Sequence, residues 1–530
     1  MLLNFIVAVF IYLVYIEIKS TKSLHMLQQN WYDDDHRYLK WIVHNLNRVL
    51  VTTDSFFVIF IAFLFIDAKL AIVLFAFFYF ILLFFFIRNK RLEQKKLSLV
   101  ITKRVKRLIF TISVLYLIPI ICMCIWFSET VLPYYFLILG ILAYLNYFVV
   151  MLANIINIPA EKQVFYHYRR QAIRKLKGMN QLKVVGITGS YGKTSSKNIL
   201  SDVLNVKIDA FATPKNFNTP YGLINSINNY LDKFSEIFIA EMGAFKRGEI
   251  KELCDLVHPT YGILTTIGTA HLESFGSREN IQKGKFELIE SLPSNGVGIL
   301  NGDDPYQTSY SLKNDCKIIW IGIDNKDVDV RADHIRLTPE GTTFDCYFKG
   351  DKTAYKFETK LLGKANIYNI LASIALAKEL DIPVDQIALG VRKVKSIEHR
   401  LELKKQGDIT IIDDAYNSNP VGSKMALEVL DMMPGKKIIV TPGMIELGEE
   451  QYESNRKFGE YIASVCDEVI LIGEEQTKPI VDGLKGKNYK ENKIHILNDV
   501  KLAFPLLNDL KGKETFVLLE NDLPDIFNEK

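Results

Sequence analysis

Apolar side chains dominate the first 160 positions, and from about Gln181 onward short apolar runs alternate with helical patterns of mixed polarity. The N-terminal part reads as membrane helices. LLNFIVAVFIYLVYI (2–16) is a first apolar stretch, and the run from about Val49 to Ile87 is too long for one crossing and is divided by Asp67-Ala68-Lys69. Two more stretches lie near 108–127 and 131–155, separated by Ser128-Glu129-Thr130. A crossing takes about 20 apolar residues, so five transmembrane helices are expected in a membrane domain over 1–156. No basic segment precedes the first stretch and no small-residue cleavage site follows it, which argues against a removable signal peptide.

The second half reads differently. Strand-like runs separated by helical patterns predict α/β layering. LKVVGIT has the composition of a buried strand and SSKNILSDVL that of the helix after it, with GSYGKTS between them. Glycines let backbone N–H groups approach phosphate oxygens, and a helix N-terminus favours negative charge. Gly189, Ser190, Gly192, Lys193, Thr194 and Ser195 are therefore the expected phosphate-binding residues. Lys193 would reach the β- and γ-phosphates, and the Thr194 hydroxyl would sit on Mg²⁺. The spacing departs from GxxxxGK[ST]: Ile187 stands where the first glycine would fall, and the glycines present are Gly186, Gly189 and Gly192. The expected fold is multidomain. An α-helical transmembrane domain is followed by a linker over 157–182 and a P-loop α/β domain over 183–396. A C-terminal Rossmann-like α/β domain over 397–530 contains the strands ITIID, KIIVTPG and EVILIG.

Charge changes the picture in one place. The 64 basic and 60 acidic residues nearly balance, and nothing points to nucleic acid. Residues 88–107, however, hold nine basic side chains against one acid, Glu93. Such a loop belongs on the cytoplasmic side. Counting outward, the N-terminus lies outside and everything after residue 155 is cytoplasmic, in a multi-pass plasma-membrane protein. The same loop would attract anionic headgroups of the bilayer. The six cysteines are scattered and form no CxxC pair, as in a reducing compartment.

The GITGSYGKTS loop resembles that of the Mur ligase family and its folylpolyglutamate synthetase relatives. Further matching segments follow in family order: NFNTPYGL (216–223), EMGAFKRGEI (241–250), TTIGTAHLESFGS (265–277), IQKGKFELI (281–289), LNGDDP (300–305), ANIYNILASIALA (365–377), HRLE (399–402), DDAYNSNP (413–420) and GMIELGEE (443–450). The resemblance covers roughly 181–475. EMGA with GEI, and DDAYNSNP, look like the branch that adds D-alanyl-D-alanine.

The resemblance implies an ATP-dependent amide ligase. A substrate carboxylate takes the γ-phosphoryl group of ATP, and an amine, from an amino acid or dipeptide, displaces phosphate from the acyl phosphate. Positioning and charge neutralisation dominate such chemistry. By family likeness Thr194, Glu241, His271 and Lys285 hold Mg²⁺, Lys285 after carbamylation by carbon dioxide. Glu241 ends the strand EIFIAE and His271 follows the strand GILTTIG, so both arrive at one sheet edge. Lys283 lies close to Lys285, and the spacing to Glu287 favours Lys285. The resemblance carries Asn301 and Asn369 to the adenine side, and Arg400 and Asp413 to phosphate and ribose. Tyr416, Asn417 and Asn419 face the amine substrate or the nucleotide. Lys193, Glu241, His271, Lys285 and Arg400 are the expected catalytic set.

Three features depart from the family pattern. Ala365 stands in place of the histidine of GxHNxxN, FVLLENDLPD replaces a KGS-type substrate loop, and membrane spans replace the domain that grips the uridine nucleotide. The expected acceptor is thus a carboxylate on an envelope precursor, lipid-linked or soluble. A membrane-bound synthetase of a γ-linked polyamide is the alternative. An ATP-driven transporter lacks its signature sequence after the loop, and a non-catalytic binding protein would have little reason to keep Glu241, His271, Lys285 and Arg400.

Overall fold

The computed structural model describes residues 2–90, 99–126, 128–338, 340–415, 418–445 and 447–522. The middle of the basic loop (91–98), Tyr416, Asn417 and the end of FVLLENDLPD lie outside the described residues. The chain forms two compact units, Met1–His167 and Tyr168–Lys530.

The first unit is helical. Leu2–Gln29, Ala68–Lys90 and Lys103–Ile125 are each long and apolar enough to cross a bilayer. A fourth such element is a pair, Leu132–Tyr144 and Asn146–Lys177, bent by 80°. The five spans expected from sequence are therefore not what the helices offer. The segment after Val49 is a 3-10 helix of 13 residues, Thr53–Phe65, too short for a 30 Å hydrocarbon layer. The stretch 157–182, expected as a linker, is helical as far as Lys177, and Gly178 follows its end.

The break before Asn146 explains a buried charge. A helix that ends inside an apolar setting leaves its last carbonyls without donors. Two side chains supply them, Tyr116 Oη donating to Leu142 O at 2.9 Å and Lys19 Nζ to Ala143 O at 2.8 Å, and one turn earlier Tyr12 Oη donates to Leu139 O at 2.9 Å. The Lys19 ammonium also pairs with Asp54 at 2.6 Å, and Tyr15 Oη donates to the same carboxylate at 2.5 Å. Asn146, the first residue after the break, donates to Ser20 and Tyr116 and accepts from Ser23. Around this polar centre Phe75 stacks on Phe136 with ring centres 4.3 Å apart, and Tyr12 meets Tyr79 edge-on at 4.9 Å.

The second unit carries two sheets. The larger contains β1 (Lys183–Thr188), β2 (Ala210–Ala212), β3 (Ile237–Glu241), β4 (Tyr261–Leu264), β5 (Val297–Asn301), β6 (Lys317–Gly322), β7 (Val330–Thr338), β8 (Gly341–Phe348) and β9 (Tyr355–Thr359). Their order is 2-3-1-4-5-6-7-8-9. The strands from β2 to β7 pair in parallel, and β7, β8 and β9 form an antiparallel extension. The continuous apolar runs of β1 and β3 are those of strands buried on both faces. The smaller sheet contains β10 (Glu402–Gln406), β11 (Ile409–Asp414), β12 (Lys436–Thr441), β13 (Glu468–Ile472), β14 (Ile494–Leu497) and β15 (Thr515–Glu520) in the order 10-11-15-12-13-14. It is parallel except for β10. The strands of the larger sheet span residues 183–359 and those of the smaller 402–520. The antiparallel extension was not among the expectations.

Candidate active site

The site grows from the carboxyl end of β1. Gly189 takes φ 152° and an added Cβ would meet Thr265 Oγ1 at 2.0 Å, so only glycine lets the loop lie against the segment after β4. Gly192, at φ 80°, caps the helix Lys193–Leu204 without a side chain that could accept from its first N–H groups. A helix start of this kind suits an anion. The Lys193 ammonium folds into the loop, donating to Gly189 O at 2.9 Å and Ser190 O at 3.1 Å. Burial pushes it down to about 8, against the attraction of Glu241 and with a further push from Arg400. Ser195 lies buried in the first turn of the helix.

Glu241, the last residue of β3, pairs in register with Ile187 of β1. Its carboxylate is buried at 1% exposure. Oε1 accepts from Thr194 Oγ1 and from Asn218 Nδ2, each at 3.1 Å. Oε2 lies 3.0 Å from the Lys197 ammonium, an ion pair, yet no donor is aligned to give it a hydrogen bond among the described residues. Lys197 is itself 1% exposed and also donates to Lys215 O. Lys197 and Asn218 were missed in the sequence; the lysine stands one helical turn after Lys193, and only the fold turns it toward β3.

The two neighbouring lysines differ in burial. Lys283 is exposed, whereas Lys285 is 1% exposed on the inner face of the helix Arg278–Glu290. Its Nζ donates to Ala244 O at 3.3 Å and lies 5.3 Å from the centre of the Phe275 ring. Burial holds the amine well below the usual lysine range, and the Lys193 charge adds to this. Glu287, two residues on, faces elsewhere: it accepts from the Gly248 and Lys251 amides at 2.7 and 3.1 Å. His271 sits in a left-handed turn at φ 60° and lays its ring against Phe245 at 4.4 Å. The segment after β3 thus touches Lys285 through Ala244 and His271 through Phe245. Lys193, Glu241, Lys285 and His271 belong to one neighbourhood at the sheet edge.

Arg400 lies between His399 and Leu401, both left-handed at φ 59° and 50°. Its charge acts on Lys193 in the central domain and on Asp414 in the C-terminal one. Asn369 packs against Gly192: a Cβ there would lie 3.3 Å from Asn369 Oδ1, at the phosphate loop. Asn301 ends β5 and accepts from the Asp303 amide at 3.0 Å. Asp413, expected at the ribose, is engaged by Lys404 at 2.6 Å and His399 at 2.8 Å. Burial would raise it, but these bonds hold it below the usual carboxylate range. Asn419 caps the helix Pro420–Asp431 by accepting from the Val421 and Gly422 amides.

The next residue is the surprise. Asp414 pairs in register with Glu520 at the ends of two parallel strands, and Ser418 Oγ donates to Glu520 at 2.7 Å. Burial holds both acids above the usual carboxylate range; the Asp414 charge raises Glu520 further, whereas the bond from Glu520 and the Arg400 charge favour ionised Asp414. The folded state therefore keeps protons that the unfolded chain releases above about pH 4. Stability contributed at low pH is lost as pH rises through the folded pKa values. Glu520→Gln is expected to flatten this fall: its thermal midpoint should exceed the parent's at pH 8 and approach it at pH 4, as read by scanning fluorimetry.

The donors at the sheet edge fit a magnesium ion. Hard dications take oxygen ligands, and Thr194 Oγ1 and the under-bonded Glu241 carboxylate supply them beside a loop built for phosphate. Among the described residues no group of three or more His, Cys, Asp or Glu side chains has metal-binding geometry, so the remaining ligands would come from phosphate oxygens and water.

Comparison with known proteins agrees with this geometry. The Mur ligase middle domain matches residues 187–377, and the Mur ligase glutamate ligase domain matches 399–520. The UDP-N-acetylmuramoyl-tripeptide–D-alanyl-D-alanine ligase of Bacillus subtilis (strain 168) is 34% identical over 297 residues, 55% of this chain and 63% of the relative. The chain thus spans less than two thirds of that relative's length. The ligase of the same name from Buchnera aphidicola subsp. Acyrthosiphon pisum (strain APS) is 30% identical over 342 residues, 64% of this chain and 73% of the relative. Among solved structures, the MurF ligase of Thermotoga maritima in complex with ADP superposes with a TM-score of 0.61 at 28% identity, covering 68% of this chain and 80% of that one. Both family domains fall on the two sheets that carry the site, in the same order, and the chain belongs to the Mur ligase family.

Proposed function

We propose that the chain is an ATP-dependent amide ligase of peptidoglycan precursor synthesis, of the type that adds D-alanyl-D-alanine. The observation that carries this reading is the buried Glu241 carboxylate bonded to Thr194 beside the phosphate loop, with a buried Lys285 in the same neighbourhood, its amine held well below the usual lysine range by burial. A substrate carboxylate oxygen attacks the γ-phosphorus, the bond to the β-phosphate oxygen breaks, and ADP leaves. The amine nitrogen then attacks the acyl carbon, inorganic phosphate departs with the C–O bond pair, and the nitrogen loses a proton. The phosphate-loop amides and Lys193 hold the phosphates, Thr194, Glu241 and His271 hold the metal, and Arg400 adds positive charge as the domains meet. Magnesium, when bound, supplies charge that neutralises the transferring phosphoryl group. The neutral Lys285 amine adds to carbon dioxide, losing one proton, and so becomes a carbamate anion. Asn301, Asn369 and Asp413 lie on the nucleotide side.

In this reading the helical unit sits in the plasma membrane with the N-terminus outside and the catalytic unit in the cytoplasm. The carboxylate then arrives on an envelope precursor at the bilayer, lipid-linked or as the UDP-N-acetylmuramoyl-tripeptide of the relatives' names. Those names describe addition of one dipeptide, which favours single addition over polymer growth. The test is direct. The full chain, purified in detergent with ATP and Mg²⁺, should release phosphate only when a muramoyl-peptide carboxylate and D-alanyl-D-alanine are both present, with one coupled product by mass spectrometry. Release that ignores either substrate would sink the reading.

A further inference from the structure

Tyr191 occupies the variable place in GSYGKT, and its contacts all run to one segment. Its backbone forms a bridge with Thr266, and Thr265 Oγ1 donates to Tyr191 O at 2.6 Å. Its ring lies on Gly268, where an added Cβ would come within 2.4 Å of a ring carbon. Its oxygen lies 3.2 Å from Thr269 Oγ1, two residues before His271. Ala270 is bonded covalently to His271. The neighbouring Ser190 adds to the same seam, with its amide donating to Thr266 O at 2.8 Å and its Oγ accepting from the Gly268 amide at 2.9 Å. From the far side, Asp304 accepts from the Ile267 amide at 2.9 Å.

The segment needs such fastening. Gly268 has no side chain to pack, and His271 is held in a left-handed conformation that an L residue adopts at a cost. Within the short helix Leu272–Phe275, Ser274 Oγ donates to His271 O at 3.0 Å, which holds the carbonyl side of the histidine but not the chain before it. The phenol oxygen beside Thr269 Oγ1, with its ring on Gly268, is the contact placed to hold the chain entering His271.

We infer that Tyr191 is a positioning residue that fastens the His271 segment to the phosphate loop, so that nucleotide phosphates and the histidine are presented to magnesium at a fixed separation. This rests on the reading that the loop binds nucleotide and on His271 as a metal ligand. A residue that orients a ligand from behind typically changes metal affinity by about 10- to 100-fold when altered.

The experiment uses the full chain and a fluorescent ATP analogue titrated at increasing Mg²⁺. Tyr191→Phe keeps the ring on Gly268 and removes the oxygen. It should need about tenfold more Mg²⁺ for half-maximal analogue binding, with affinity at saturating Mg²⁺ and the thermal midpoint close to the parent's. In a His271→Ala background the same change should have no further effect on the Mg²⁺ requirement, since the tyrosine acts through the histidine. An unchanged Mg²⁺ requirement in Tyr191→Phe, or an equal shift with and without His271, overturns the inference. Failure of the parent chain to bind the analogue at any Mg²⁺ concentration would overturn the nucleotide reading and this inference together.

Discussion

Lys285→Ala is expected to lower turnover by about 10²–10³-fold, the usual cost of removing one preorganised charge from a site of this kind. It should do so while leaving ATP-analogue binding largely intact. The argument starts from burial. A lysine at 1% exposure with one carbonyl at 3.3 Å and an aromatic ring at 5.3 Å is poorly solvated as an ammonium. Burial first, and the Lys193 charge second, favour the neutral amine, which is the form that adds carbon dioxide. The variant removes both the amine and the carbamate it would carry. Acetate or formate, small enough for the vacated space, should restore part of the rate, whereas bicarbonate should not. Lys285→Met, which keeps the packing volume, should lose the rate equally and guards against a mere cavity effect. Full activity in Lys285→Ala would remove the lysine from the mechanism.

The site residues that sequence located are those fixed by a strand end. Glu241 and His271 follow apolar runs whose length sets where the chain reaches the sheet edge, and the structure puts both there. Choices between adjacent residues were harder. Side chains alternate across a strand, so the pair Asp413-Asp414 splits: one turns to Lys404 and His399, the other to Glu520. Which faces which depends on β10 and β15, which flank β11 in the sheet. The chain between 184 and 197 names its strand, loop and helix plainly, yet says nothing of Lys197 reaching β3 or Tyr191 reaching Gly268. These are contacts across about 45 and 77 positions.

The membrane half shows the opposite limit. Hydropathy counts apolar residues but does not see where a helix breaks. From Thr53 to Phe65 the composition is as apolar as in any span, and the backbone is a short 3-10 helix. The break before Asn146 became legible only through its partners, because Lys19, Tyr12 and Tyr116 are separated from the carbonyls they donate to by 26 to 127 positions. A lysine within an apolar helix, as at position 19, signals such a need without naming the acceptor. The helical stretch beyond 157 was legible in principle, since no glycine interrupts it before Gly178.

Glu241→Gln should cost both stability and activity, and the two losses should separate. The Glu241 carboxylate is the only carboxylate paired with the Lys197 ammonium among the described residues, and both are 1% exposed. Removing one partner of a buried pair leaves the other charge uncompensated, a cost of about 3–5 kcal/mol. Replacing both partners by neutral groups of similar size is often nearly neutral. The double variant Glu241→Gln/Lys197→Met is therefore expected to recover most of the denaturant midpoint lost in the single variant. Activity should not return, because the amide lacks the charge that a hard dication needs from its ligand. Turnover in both variants should stay at least about 10²-fold below the parent, with the Mg²⁺ dependence of nucleotide binding lost. If the double variant regained activity along with stability, Glu241 would be a structural partner of Lys197, and the metal would have to be held by other residues.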